Sequence, residues 1–107
     1  GNALMEYAYQ IARWHHERWD GKGYPDGLKG DEIPIAAQVV SVADVYDALT
    51  SVRVYKDAIP YEEAIQMILD GKCGTFNPLL LDCLLEVQDR IAETLVRPAD
   101  VVAFPTI

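Results

Sequence analysis

Pro34-Ile35-Ala36-Ala37-Gln38-Val39-Val40-Ser41-Val42-Ala43-Asp44-Val45-Tyr46-Asp47-Ala48-Leu49-Thr50-Ser51 is the stretch that decides the architecture. No glycine or proline interrupts it after Pro34, and proline suits the first turn of a helix, where its missing N–H costs nothing. Ile35, Val39, Val42, Tyr46 and Leu49 recur at three- and four-residue spacing, the period of a helix with one apolar face. Ser41, Asp44, Ala48 and Ser51 form a second stripe, small and polar. The spacing predicts a helix from Pro34 to about Ser51, with one face for a core and another free for chemistry.

Upstream, Leu4, Ala8, Ile11 and Trp14/His15 keep the same period and predict a helix from about Ala3 to Trp19. The chain between Gly21 and Pro34 is rich in glycine and proline and reads as a loop, Asp20-Gly21-Lys22-Gly23-Tyr24-Pro25-Asp26-Gly27 leading it. Downstream, a short connection over Val52–Ile59 precedes a third helix from about Pro60 to Asp70, with Ala64, Ile65, Ile68 and Leu69 inward and Gly71 as its stop. Asn77-Pro78 is an N-cap followed by proline at the first helical position. A fourth helix follows to about Val96, where Arg97-Pro98 ends it, with Leu81, Leu84, Leu85, Val87, Ile91 and Leu95 apolar. The tail Val101–Ile107 is apolar and short. The expected class is all-α, a bundle of about four helices.

With 107 residues, half of them apolar and 24% charged, the chain is expected to fold as one domain or part of one. Its formal charge of −8 excludes bulk nucleic-acid binding, which needs Lys and Arg against phosphates. A small phosphorylated ligand remains open: residues 13–30 carry four cations against three carboxylates, and residues 51–59 carry two against one. Cys73 and Cys83 have no metal-type spacing and are expected as reduced, half-buried thiols of a cytoplasmic protein. No apolar run is long enough to span a membrane, so no membrane contact is expected from this segment.

Four groups of residues can carry chemistry. His15-His16 precedes the glycine-rich loop; adjacent helical side chains point about 100° apart, so the pair serves two neighbouring ions, or one ion and its surroundings, or simply a helix C-terminus that favours cations. Asp44 and Asp47 lie nearly on one face, where two carboxylates repel unless a cation or proton intervenes, or the face is merely wet. Arg53 and Lys56, with Tyr55 between them, make either a cradle for a phosphate and a base or ordinary surface charge. Glu17 either orients an imidazole or is solvated. Trp14, Trp19 and Cys73 read as packing residues.

The order of these elements is far more specific than any one of them. His15-His16-Glu17-x-x-Asp20-Gly21-x-Gly23-Tyr24-Pro25-x-Gly27-Leu28-x-Gly30, then Ile33-Pro34, then Val42–Ser51, then Arg53 and Tyr55-Lys56 closely resembles the HD-GYP family of the HD superfamily, over about residues 5–95. Gly71-x-x-Gly74-Thr75-Phe76-x-Pro78 is similar to a later part of the family pattern. The resemblance implies an HD-domain-like bundle and a bacterial cyclic di-GMP phosphodiesterase of second-messenger signalling, with two or three clustered divalent ions, iron or manganese. His15, His16 and Asp44 match family metal ligands. Asp47 matches a position near the hydroxide that attacks phosphorus and is the candidate catalytic group. Arg53 and Lys56 match positions that hold substrate phosphates, and Tyr24-Pro25 belongs to the signature loop that shapes the entrance and meets partners. Gln38 stands where the family often has Arg, and Asn77 where it often has Asp.

The family site also uses an upstream His and the His-Asp pair that names the superfamily, and this sequence has no third histidine. The expectation is therefore that residues 1–107 are the C-terminal part of a single HD-GYP domain, incomplete relative to the whole, with residues 1–3 a possible tag remnant. Such a piece is expected to be inactive alone, to bind metal weakly or not at all, and to leave apolar surface on helices one and two that favours a homodimer. The alternative is a degenerate, non-catalytic signalling module that binds a diguanylate cyclase or a response-regulator or sensor domain through the Gly21–Gly30 loop. A nucleotide hydrolase from elsewhere in the HD superfamily is disfavoured by the Gly-Tyr-Pro loop.

Overall fold

The structure is a computed structural model that describes residues 2–52 and 57–94, with only the helical backbone described for 91–94. Four helices follow one another: α1 (Ala3–Trp14), α2 (Ile35–Thr50), α3 (Tyr61–Leu69) and α4 (Pro78–Thr94), with a single 3-10 turn at Gly30–Glu32 inside the long loop. The described residues form no strand, so the all-α expectation holds. The end of the fourth helix at Arg97-Pro98 and the tail Val101–Ile107 lie outside the described residues.

The caps follow the sequence chemistry. Asn2 Oδ1 accepts from the Met5 N–H at 2.9 Å and opens α1. Asn77 Oδ1 accepts from the Leu79 N–H at 2.9 Å, the expected cap of α4. Gly71, at φ +78, closes α3 in the left-handed conformation that glycine enters without a Cβ penalty.

The core lies between α2, α3 and α4. Ile65, Ile68, Phe76 and Leu84 are buried together, and Val42, Val45, Tyr46, Leu49 and Leu81 pack partly against them. Fully burying the Ile65 and Ile68 side chains contributes about 1.5–3 kcal/mol each. The α3 face is thus the one predicted, with Ala64, Ile65 and Ile68 buried.

Three expectations need correction. The first helix ends at Trp14, not near Trp19: the Trp19 N–H donates to the Thr75 carbonyl at 3.0 Å, a contact across 56 residues that draws the chain off the helix axis. The apolar face of α2 is split, because Ile35 and Val39 are 57% and 49% exposed whereas Ala37, Gln38 and Ser41 are buried. Cys83 is exposed; only Cys73 is half-buried, and both thiols are free.

The apolar surface expected on the first two helices is present. No residue of α1 is buried, and Tyr7, Ile11, Ile35, Ala36, Val39 and Val40 line an open hollow of about 470 Å³ between α1 and α2. A second apolar hollow, about 350 Å³, opens between α2 and α4 beside Tyr46. Among the described residues the buried Tyr46 hydroxyl has no hydrogen-bond partner, and burial raises its pKa.

Candidate functional site

The site grows from the end of α1. His15 caps the helix, and its Nδ1 lies 2.6 Å from the Ile11 carbonyl oxygen. A carbonyl only accepts, so Nδ1 carries the hydrogen and the neutral ring keeps its lone pair on Nε2. This is the tautomer a ligand imidazole needs, with its other nitrogen tied to an acceptor. The His16 ring lies 4.0 Å from that of His15, and the Tyr24 ring stacks on His16 at 4.9 Å with an interplanar angle of 16°. Burial, then the charges of His15 and Arg18, push the His16 pKa below the ordinary imidazole range, against the upward pull of Asp44 on α2. His16 is therefore biased toward its neutral, lone-pair-bearing form.

Asp44 and Asp47 both lie on the exposed face of α2. Of the readings open for this pair, a wet helix face is the one its exposure matches. The Ser51 hydroxyl donates to Asp47 Oδ1 at 3.1 Å. Among the described residues no group of three or more His, Cys, Asp or Glu converges closely enough to hold an ion, so the chain presents His15, His16 and Asp44 without closing a ligand cage around them. Arg53, Tyr55 and Lys56 lie outside the described residues. Tyr24 and Pro25 are exposed at the loop's edge, joined by a cis peptide bond.

The loop itself is built around Glu17, which is 2% exposed. Its Oε1 accepts from the N–H groups of Asp26 at 2.6 Å and Gly27 at 3.0 Å, and its Oε2 from Leu28 at 2.8 Å. Three successive amides facing one anion form a nest, filled by the protein's own carboxylate. From outside, Asp26 takes both Arg13 Nε and Nη2 at 2.9 Å and Trp14 Nε1 at 2.7 Å. Gly23 passes so close to the chain it left that a Cβ would sit 2.4 Å from the His16 carbonyl oxygen.

Arg18 ties the loop's base to α2: its Nη1 donates to Ser41 Oγ at 2.9 Å, its guanidinium lies 5.2 Å from the Phe76 ring centre, and its side chain fills the space a Cβ on Gly74 would need. Asp20 accepts from the Lys22 N–H and from the Thr75 hydroxyl, which hold its pKa down.

Sequence reasoning missed three of these roles. Glu17 is not solvated, and its carboxylate oxygens meet backbone amides rather than an imidazole; the nearby signal was an acid followed by closely spaced glycines. Trp14 does more than pack, since it donates to Asp26. Gln38 and Asn77 are partners: Asn77 Nδ2 donates to Gln38 Oε1 at 3.0 Å, and Gln38 Nε2 donates to the Ile33 carbonyl at 2.8 Å. Two positions that each depart from the family pattern thus meet in space, and a neutral amide pair stands there.

Four helices with paired imidazoles ahead of a glycine-rich loop match the family resemblance read from the sequence. The model of the HD domain family matches residues 3–78. A Vibrio cholerae protein named "Probable cyclic di-GMP phosphodiesterase" is 46% identical over 98 residues, covering 92% of this chain and 22% of that protein. A Thermotoga maritima cyclic di-GMP phosphodiesterase is 42% identical over 99 residues, covering 91% of this chain and 26% of that protein. A 3'3'-cGAMP-specific phosphodiesterase of Vibrio cholerae is 45% identical over 86 residues, covering 80% of this chain and 16% of that protein. The chain belongs to the HD domain family, in its HD-GYP branch. It spans between 16% and 26% of the length of these relatives.

Proposed function

We propose that this chain is part of a metal-dependent phosphodiesterase that hydrolyses cyclic di-GMP in second-messenger signalling. The observation that carries the reading is the pairing of His15, fixed as the Nδ1–H tautomer, with the His16 ring 4.0 Å away under Tyr24. Imidazole with carboxylate suits divalent iron or manganese. Two or three such ions, once bound, supply an activated water and charge stabilisation for in-line displacement at phosphorus.

The chain's own groups do the rest. His15, His16 and Asp44 hold ions; Asp47, three residues on, aids proton transfer at the reacting oxygen. Arg53 and Lys56 neutralise the non-bridging phosphate oxygens and fix the substrate's register. Tyr24 and Pro25 border the entrance. Two ions need more donors than two imidazoles and two carboxylates provide, so residues 1–107 alone bind metal weakly and turn over nothing.

The test compares this chain with the full-length protein. Metal content and Mn²⁺ affinity are measured for both, then hydrolysis of cyclic di-GMP beside 3'3'-cGAMP. Full-length turnover that falls on Asp44→Ala or His16→Ala supports the proposal. Robust turnover by residues 1–107 overturns the incomplete-site reading. The absence of a three-ligand group among the described residues favours a second reading, a non-catalytic cytoplasmic module that binds a diguanylate cyclase or sensor domain through the loop. Full-length protein that holds no metal and hydrolyses neither dinucleotide establishes that reading instead.

A further inference from the structure

We propose that Glu17 is the positioning residue of this site: its buried carboxylate sets the loop so that Tyr24 lies on His16 and fixes the plane of that ring. The inference rests on the reading of His16 as a ligand only for its consequence, not for its geometry. Glu17 is a buried carboxylate with no part in the chemistry, held at 2% exposure beside two imidazoles. Among the described residues, the three hydrogen bonds to this carboxylate come from the backbone of Asp26, Gly27 and Leu28, immediately after Tyr24-Pro25.

The chain path makes this attachment decisive. The loop leaves at Glu17, turns at Gly21 with its N–H on the Arg18 carbonyl, and returns so that Tyr24 N–H faces the His16 carbonyl at 3.4 Å. That returning bond is long and Tyr24 is 61% exposed, so the ring has little of its own to hold it. The other tether, Arg13 with Asp26, is solvent-exposed and screened by salt. The charge-assisted nest is buried and short, and it lies between the residue that is covered and the residue that covers it. A free ring beside His15 would turn about its own bond; a ring stacked under Tyr24 keeps its plane.

The experiment is proton NMR of the His16 ring in metal-free residues 1–107, above the imidazole titration range. Stacking displaces the His16 ring protons upfield, and Tyr24→Ala sets the full size of that displacement. Glu17→Gln, which keeps the shape but turns an amide NH2 toward one of the three N–H donors, is expected to remove at least half of it. Leu84→Ala, which destabilises the core far from the loop, is expected to remove none at matched melting temperature. Should Glu17→Gln not fold, Glu17→Asp takes its place: the charge stays, the reach shortens by one methylene, and partial loss is expected. Retention of the full displacement in the Glu17 variant, or no displacement to lose in Tyr24→Ala, overturns the proposal. Because no metal is present, this outcome is separate from whether His16 binds an ion.

Discussion

Exchanging the Gln38–Asn77 amide pair for a charged one tests whether the two departures from the family pattern are a single feature. Gln38 is 8% exposed, donates to the Ile33 carbonyl and accepts from Asn77, whose Oδ1 in turn caps α4. Asn77→Asp places an acceptor against the Gln38 oxygen. Flipping the Gln38 amide only moves the conflict to the Ile33 carbonyl, so one buried group is unpaired in either orientation. That costs about 1–3 kcal/mol, partly offset by about 0.3–1 kcal/mol from a negative charge at the start of α4. Gln38→Arg alone buries a guanidinium facing the Asn77 donor and costs on the order of 3 kcal/mol. Together the two substitutions make a charge-assisted pair, the Arg still donating to Ile33 and the Asp still capping α4. The double variant should return to within about 1 kcal/mol of the parent, giving a coupling energy of at least about 2 kcal/mol. Urea denaturation of all four proteins, read at the midpoint with unchanged slopes, measures it. A coupling below about 0.5 kcal/mol refutes the argument, since the residues would then be independent despite their 3.0 Å contact.

Three further outcomes follow from the loop and the open faces. Gly23→Ala forces a Cβ to within 2.4 Å of the His16 carbonyl oxygen, so the loop must lift; loss of the Tyr24–His16 stack and at least about 1–3 kcal/mol of stability are expected, checked by His16 ring shifts and melting. Asp26 has its pKa depressed, first by the Arg13 hydrogen bond and then by Trp14, so its stabilisation is fully present above the usual carboxylate range and disappears as pH falls through the depressed value. The Trp14 indole N–H resonance should therefore move below about pH 4 and not between pH 5 and 8. The uncovered apolar surface of α1 and α2 predicts self-association of residues 1–107, increasing with salt as the −8 charge is screened; light scattering showing a clean monomer at all salt concentrations would count against it.

What the sequence made legible was local. The period of Ile35 to Leu49, the Asn77-Pro78 start and the Gly71 stop each depend on neighbours three or four residues away, and all three recur in the structure. What it concealed was set by distant partners. The early end of α1 depends on Thr75 accepting from Trp19, and no property of residues 15–19 alone reveals it. Periodicity likewise groups Ile35 and Val39 with Val42 and Tyr46, yet it reports only that they share a face, not how far along the helix that face is covered.

Glu17 shows why the candidate site was only half readable. A carboxylate following two histidines reads either as an imidazole's partner or as solvated, because burying a charge without partners is costly. Its partners are backbone amides, which every residue carries, so no side-chain pattern announces them. They converge only after the chain has turned through Gly21 and Gly23, and at Gly27, where φ is +69. The glycines that look like mere flexibility are therefore what lets an acid be buried at 2% exposure. One internal anion occupies the nest that could otherwise have taken a phosphate.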